Sequence, residues 1–230
     1  MPRISIIVPV LEEAGGIERT LAPLQPYRRS GEAEVVVADG GSRDDTRRLA
    51  APLADRVIEV PRGRGAQMNA GARASDGDIL LFLHADTQLP SGALGLVTEA
   101  IDGGREWGRF DVTIEGRGAL LRLVAWSMNW RSRITGIATG DQAIFVRRAV
   151  FETVGGFRAI PLMEDVALST ALARSSRPAS LFARVVTSGR RWERHGTLRT
   201  IILMWRLRLA FALGEDPHRL ARRYDVERTS

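Results

Sequence analysis

Three stretches decide the fold: ISIIVPVLEE at 4–13, EVVVADGGS at 34–42 and ILLFLHADT at 79–87. Each is a continuous apolar run, rich in Ile, Val and Leu, that ends in acids. A fourth apolar run, VIEV, lies at 57–60. The segments between them, roughly 14–25, 42–54 and 65–75, read as helices. Continuous apolar strands alternating with helices predict a parallel sheet covered on both faces. Ligands bind such sheets at the carboxyl ends of the strands, and all three acid tips fall at that edge.

The second half is less regular. Strands are expected at 108–114, 143–147 and 181–187, and helices at 119–133, 164–174 and 198–213. A GGF turn at 155–157 precedes a further acidic segment, MED at 163–165, and DPHRLARRY opens a short terminal helix. Ser42 followed by Asp45 predicts a capping box for the second helix. No repeat, linker or low-complexity tract breaks the chain. One domain is expected over 1–230, with a first half to about 105, a second to about 195 and a C-terminal helical appendage beyond.

Composition removes several chemistries. There is no cysteine, so thiolate catalysis, disulfides and Cys-ligated metals are excluded. There is no lysine either, so all 33 basic residues are arginine. Schiff-base chemistry and a phosphate-loop lysine are therefore impossible. The net charge of +6 could suit nucleic acid, but the arginines are dispersed and aromatic content is only 6%. An anionic substrate or membrane surface explains the charge at least as well. No signal peptide or run of ~20 apolar residues is apparent. The expected location is cytoplasmic, or peripheral at the inner face of the membrane.

Acids at strand tips around one crevice suit a nucleotide base, a ribose and a metal-bound diphosphate. The order of motifs sharpens this. SIIVPVLEE, VVVADGGSRDDT, RGRGAQMNAGARASDGDILLFLHADT, GDQAIFVRRAVFETVGGF and MEDVALSTAL together resemble the family 2 glycosyltransferases of GT-A fold. FLHADT and GDQ resemble those of a small bacterial subfamily. The resemblance spans about residues 3–195. It implies a Rossmann-like, mostly parallel α/β sheet and an inverting transfer of sugar from a nucleotide-diphosphate donor, expected to be a UDP-sugar. The implied cofactor is Mn²⁺ or Mg²⁺.

The same resemblance distributes roles. The implied nucleotide-binding set is Pro9, Glu13, Asp39, Gly40, Arg64, Gln67, Asn69, His84 and Ala85. Carboxylates accept from ribose hydroxyls or a base N–H, so Glu13 and Asp39 suit that site. As residues alone, Glu12, Glu13 and Asp39 read equally as helix caps, and the arginines as solvated. Asp86 is the leading metal ligand, a hard oxygen donor, and His195, late in the chain, is a further ligand or equally a loop histidine. His84 stands where the family has Asp. Two residues from Asp86, it would share that side of an extended strand, binding metal, touching ribose or only packing. Asp165 is the implied general base, with Glu164 orienting the acceptor or sharing the catalytic role, although an acidic pair also suits a helix start. Asp141, Gln142, Arg191 and Trp192 are candidates for the acceptor or donor sugar.

The helix at 198–213 is apolar nearly all round. Arg199 and Arg206 share one side while Arg208 points the opposite way. Packing on the domain or a homodimer contact is expected, with a membrane surface and a lipid-linked acceptor as the alternative. A sugar-nucleotidyltransferase would need a glycine-rich loop after the first strand and a catalytic lysine, and has neither. A non-catalytic nucleotide-sugar-binding or membrane-docking module is the remaining rival.

Overall fold

The computed structural model describes residues 3–116, 118–190, 192 and 196–229. Arg191 and His195, both candidate site residues, lie outside the described residues. Among those described, one eight-stranded sheet has the order β3-β2-β1-β4-β7-β6-β8-β5. Its first four strands are β1 (Ile4–Val10), β2 (Ala33–Asp39), β3 (Arg56–Glu59) and β4 (Ile79–Phe82), all mutually parallel. The second half adds β5 (Thr87–Gln88), β6 (Trp107–Ile114), β7 (Phe145–Arg147) and β8 (Ala179–Thr187). Here β7 runs antiparallel to both β4 and β6, and β8 runs parallel to β6. The register slips between Phe110 and Asp111.

Why the strands read as unbroken apolar runs is visible in their burial. Every residue of β1, β2 and β4 is buried. Alternate residues serve opposite faces. Ile4, Ile6, Val8 and Val10 enter one core cluster, and Ile7 joins Leu80, Phe82 and Trp107 in a second. Pro9 is tolerated in this central strand for a local reason. The Ile7 carbonyl accepts from Leu83 of the β4 side and the Val10 carbonyl from Gly40 of the β2 side. By alternation the Pro9 nitrogen faces β4, beyond the last β1–β4 pair at Ile7 and Phe82, where no donor is needed.

Among the described residues the helices are α1 (Ile17–Leu21), α2 (Gln25–Ser30), α3 (Thr46–Ala50), α4 (Arg64–Arg73), α5 (Ala93–Asp102), α6 (Ala119–Thr135), α7 (Arg148–Thr153), α8 (Glu164–Ser175), α9 (Thr197–Ala212) and α10 (Pro217–Thr229). The expected helix at 14–25 is broken into α1, a 3-10 turn and α2, with Pro23 and Pro26 at the joints. The expected capping box at Ser42 does not form. The helix starts only at Thr46, after Asp45, and the Ser42 hydroxyl instead accepts the Glu12 N–H at 2.9 Å. No helix among the described residues is long and apolar enough to cross a membrane.

The C-terminal helices are not loosely appended. Leu203 and Leu207 of α9 and Leu220 of α10 form a third buried cluster with Met163, the residue that starts α8. The opposite face of α9 leaves Leu198, Ile202, Trp205 and Leu209 more than half exposed.

Candidate functional site

The tips of β1 and β2 are laced together by their own polar groups. Glu12 and Glu13 donate their N–H groups to Ser42 and Thr46. The Glu12 carboxylate accepts the Arg43 N–H at 2.8 Å. Asp39 is fully buried, and its Oδ1 accepts the N–H groups of Gly41 and Ser42, both at 2.8 Å. Its Oδ2 is buried and has no partner among the described residues. Neither Glu13 nor Asp39 caps a helix through its side chain, because the N-cap residues of α1 and α3 are Gly16 and Asp45. Asp39 therefore closes a turn with one oxygen and keeps the other for a donor.

Two candidates are used by the fold. Gln67 is buried, and its Nε2 donates to the carbonyls of Val10 and Ala38 at 2.8 and 2.9 Å. Both donors are occupied, so the Gln67 amide ties β1 to β2. Asn69 bonds both the N–H and the carbonyl of Phe157 and thereby holds the GGF turn. Its amide is likewise occupied. Ala85 is buried, and its carbonyl accepts the Thr20 hydroxyl. Gly40 packs directly under the Gln67 amide, where a methyl group would stand 3.1 Å from it.

The HAD segment departs from the strand geometry expected of it. β4 ends at Phe82, and a turn closes from Thr87 N–H to the His84 carbonyl at 3.0 Å. The extended geometry that would put His84 and Asp86 on one side therefore does not reach these residues. His84 turns to the second half of the chain, its Nδ1 lying 3.2 Å from Asp141 Oδ1. Its Nε2 is buried without a described partner, against Gly140, whose position a methyl group could not share. Asp86 instead borders two cavities. The smaller, about 200 Å³, also takes Glu115, Ser188 and Arg190, and the larger, about 500 Å³, takes Asp141, Trp192, Arg131 and Arg208.

Asp165 reaches across to the same place. Its Oδ2 accepts the Gly140 N–H at 2.8 Å and its Oδ1 the Val166 N–H at 2.7 Å. Only the second bond belongs to its own helix. The first anchors Asp165 to the residue between Thr139 and Asp141. Glu164 is buried and pairs with Arg64 at 3.2 Å, joining α8 to α4. Burial first, and then the charge of Asp165, push the Glu164 carboxyl above the usual range, with Arg64 opposing. Gln142 is buried and serves the local backbone. Its side chain accepts the Thr139 N–H in a capping box and faces the Phe110 carbonyl at 3.5 Å.

Backbone strain gathers here too. Among the described residues the non-glycine positions with positive φ are Glu12 at 54°, Ala143 at 46° and Met163 at 68°. One ends the first acid tip, one follows GDQ and one precedes Glu164. Such strain persists only where packing over-determines it, and it clusters at functional sites.

A divalent ion suits the acids at Asp86. Burial and then the nearby Asp86 charge push the Glu13 carboxyl up, while Arg190, 3.4 Å away, draws it down. Negative charge crowded around Asp86 fits a cation. No three His, Cys, Asp or Glu side chains converge as a full cage among the described residues. One carboxylate with donor phosphates and water would complete the octahedral coordination such an ion needs.

Residues 5–153 match the family model described as glycosyl transferase family 2. The chain belongs to that family. A probable glycosyltransferase, YdaM of Bacillus subtilis (strain 168), is 25% identical over 94% of this chain and 56% of its own length. Glycosyltransferase AglE of Haloferax volcanii is 34% identical over 37% of this chain and 31% of its own. The chain thus spans little more than half of these curated relatives, or less. Among solved structures, the S. aureus TarS 1-349 fragment has a TM-score of 0.67 at 20% identity, covering 88% of this chain and 64% of that one. The mannosyltransferase PcManGT of Pyrobaculum calidifontis, in complex with GDP-Man and Mn²⁺, has a TM-score of 0.64 at 24% identity, covering 99% and 69%. The fold of this family 2 member is GT-A.

Three arginines that line these cavities were not among the candidates from sequence: Arg131, Arg190 and Arg208. Arg208 had left a signal, as the arginine on the wrong side of an otherwise apolar helix. Arg131 lies one residue after Trp130, a spacing that says nothing by itself.

Proposed function

We propose that this chain is an inverting, metal-dependent glycosyltransferase that moves a sugar from a nucleotide-diphosphate donor to an acceptor hydroxyl. The carrying observation is that Asp86, from the nucleotide half, and Asp141, from the segment that anchors Asp165, border one cavity. Asp39 would read the base through its unpartnered Oδ2, and Glu13 the ribose. A UDP donor fits these acids. Solved structures of similar fold carry UDP-GlcNAc in one case and GDP-Man with Mn²⁺ in another.

Asp86 would hold Mn²⁺ or Mg²⁺, which neutralises the diphosphate as it leaves. Asp165 takes the proton of the acceptor hydroxyl while the acceptor oxygen bonds to the anomeric carbon from the face opposite the donor. The bond from that carbon to the diphosphate breaks, and the nucleoside diphosphate departs with the electron pair. Gly140 N–H fixes the Asp165 carboxylate, and Glu164, held by Arg64, orients the acceptor.

The test is nucleotide release from a panel of UDP- and GDP-sugars with Mn²⁺, comparing the native chain with Asp165→Asn. Asn keeps the shape but cannot accept the proton. Transfer should fall by roughly 10²–10⁴-fold while donor affinity stays within about twofold. Equal turnover by Asp165→Asn would remove it as base. No turnover by the native chain with any donor that binds would favour a non-catalytic module.

A further inference from the structure

The larger cavity has a composition that sugar transfer alone does not require. At about 500 Å³ it lies between α6 and α9 and is lined by Leu123, Trp126 and Trp130 of the first and Met204 and Trp205 of the second. Such a wall suits hydrocarbon more than a polar sugar. Its rim continues outward as apolar surface, with Trp126 58% and Trp205 69% exposed. Surface of this kind on a water-soluble face signals a binding partner.

Charge is placed deep in this apolar setting. Arg131 of α6 and Arg208 of α9 both line the cavity. Arg131 Nη2 and Arg208 Nε are buried and have no hydrogen-bond partner among the described residues. Buried donors of a charged group are rarely left unmade, because desolvation goes uncompensated. Asp165 and Asp141 lie near enough to Arg208 to oppose the effect of its burial, so the arginines sit on the reaction side of the cavity. Burial, and then the like charge of Arg208, lower Arg131 to about 10. An anion between the two guanidiniums would relieve both.

We infer that this cavity binds an amphiphilic acceptor, with an anionic group on Arg131 and Arg208 and an apolar chain along Trp126, Trp130 and Trp205. The word acceptor rests on the glycosyltransferase reading above; the binding does not. A second copy of the chain could cover the indoles, but its apolar face would supply no anion to the arginines.

The experiment is tryptophan fluorescence titration of the full chain with farnesyl phosphate, farnesol and inorganic phosphate, alongside UDP with Mn²⁺. Farnesyl phosphate should saturate with a blue shift, at least about 10-fold tighter than farnesol, and inorganic phosphate alone should not compete at equal concentration. Arg131→Gln and Arg208→Gln should each weaken farnesyl phosphate by about 10-fold and leave farnesol and UDP unchanged. Trp205→Ala, at an exposed position that carries no folding risk, should weaken both chain-bearing probes. Equal affinity for farnesol and farnesyl phosphate would overturn the anion site. Insensitivity to all three variants would overturn the cavity assignment, as would a sedimenting dimer that blocks the titration. Farnesyl phosphate binding without UDP binding would support the lipid site and instead remove the donor reading.

Discussion

Asp39 and Glu164 show how much a single acid can mean in this fold. The tip acids were legible because a carboxylate ending a buried strand has few reasons to be there. Their division of labour was not. Asp39 both closes the Gly41–Ser42 turn and leaves Oδ2 open. Asp39→Ala should therefore lose stability and nucleotide affinity together. Asp39→Asn keeps an oxygen for the two amides and replaces only the open one. It should melt within a degree or two of the native protein yet bind UDP about 10-fold more weakly, or ~1.4 kcal/mol. Calorimetry showing native affinity for Asp39→Asn would end its role at the base. The amides of Gln67, Asn69 and Gln142 carry no such signal. An amide at a strand or helix end has the same sequence signature whether it binds a ligand or the backbone, and here all three bind backbone. Glu164 adds a pH signature. Its carboxyl is raised chiefly by burial, so the folded chain holds that proton more tightly than the unfolded one. The stabilisation is fully present below about pH 4, the ordinary Glu range, and is lost as pH rises through the raised value. Glu164→Gln stays neutral throughout. It should melt above the native protein near neutral pH and level with it at about pH 4, a comparison that thermal melts across this range would make.

At the scale of elements, what the chain announces and what it hides follow from periodicity. The strands β1, β2 and β4 were readable because burial on both faces demands apolar residues at every position. The helix α5 escaped that reading. Its buried Leu94, Val97 and Ile101 keep helical spacing, but Gly92 and Gly95 make the segment look like a loop. Helical glycines here divide by what surrounds them. Gly71 on α4 packs on β1, and a methyl group there would run into Ile7 Cγ2. Gly95 on α5 has nothing within 4 Å of such a methyl. Both substitutions to alanine bring the same intrinsic helical gain of about 0.5–1 kcal/mol. Gly95→Ala should show it as added stability in urea. Gly71→Ala should instead lose roughly 1–3 kcal/mol, because α4 must lift from the sheet. If the two variants shifted stability in the same direction, the close α4–β1 packing would be wrong.

Across the whole molecule, the two halves of the chain share one sheet through β4 and β7, and side-chain links also cross between them, among them Arg64 to Glu164, His84 to Asp141 and Asn69 to Phe157. None of these pairings could be read from spacing, since their partners lie 57 to 100 residues apart. The C-terminal helices add a link of another kind. Met163 holds a left-handed backbone at φ 68° immediately before Glu164 and Asp165, a conformation that costs of order 1–3 kcal/mol for a non-glycine residue. What compensates is apolar packing, because Met163 is buried with Leu203, Leu207 and Leu220. The C-terminal helices thus buttress the turn that opens α8. Leu207→Ala should open a cavity beneath Met163 and lose about 2–5 kcal/mol locally. Amide exchange should then quicken at Val166 and Ala167, in the first turn of α8, and along α9. Protection in β1, β2 and β4 should hold, since their cores contain no part of that cluster. UDP affinity should stay level while sugar transfer falls, because only the acid pair has lost its footing. Equal loss of protection in β1 and α8 would mean that the two halves unfold as one unit, and the buttress would then be ordinary core.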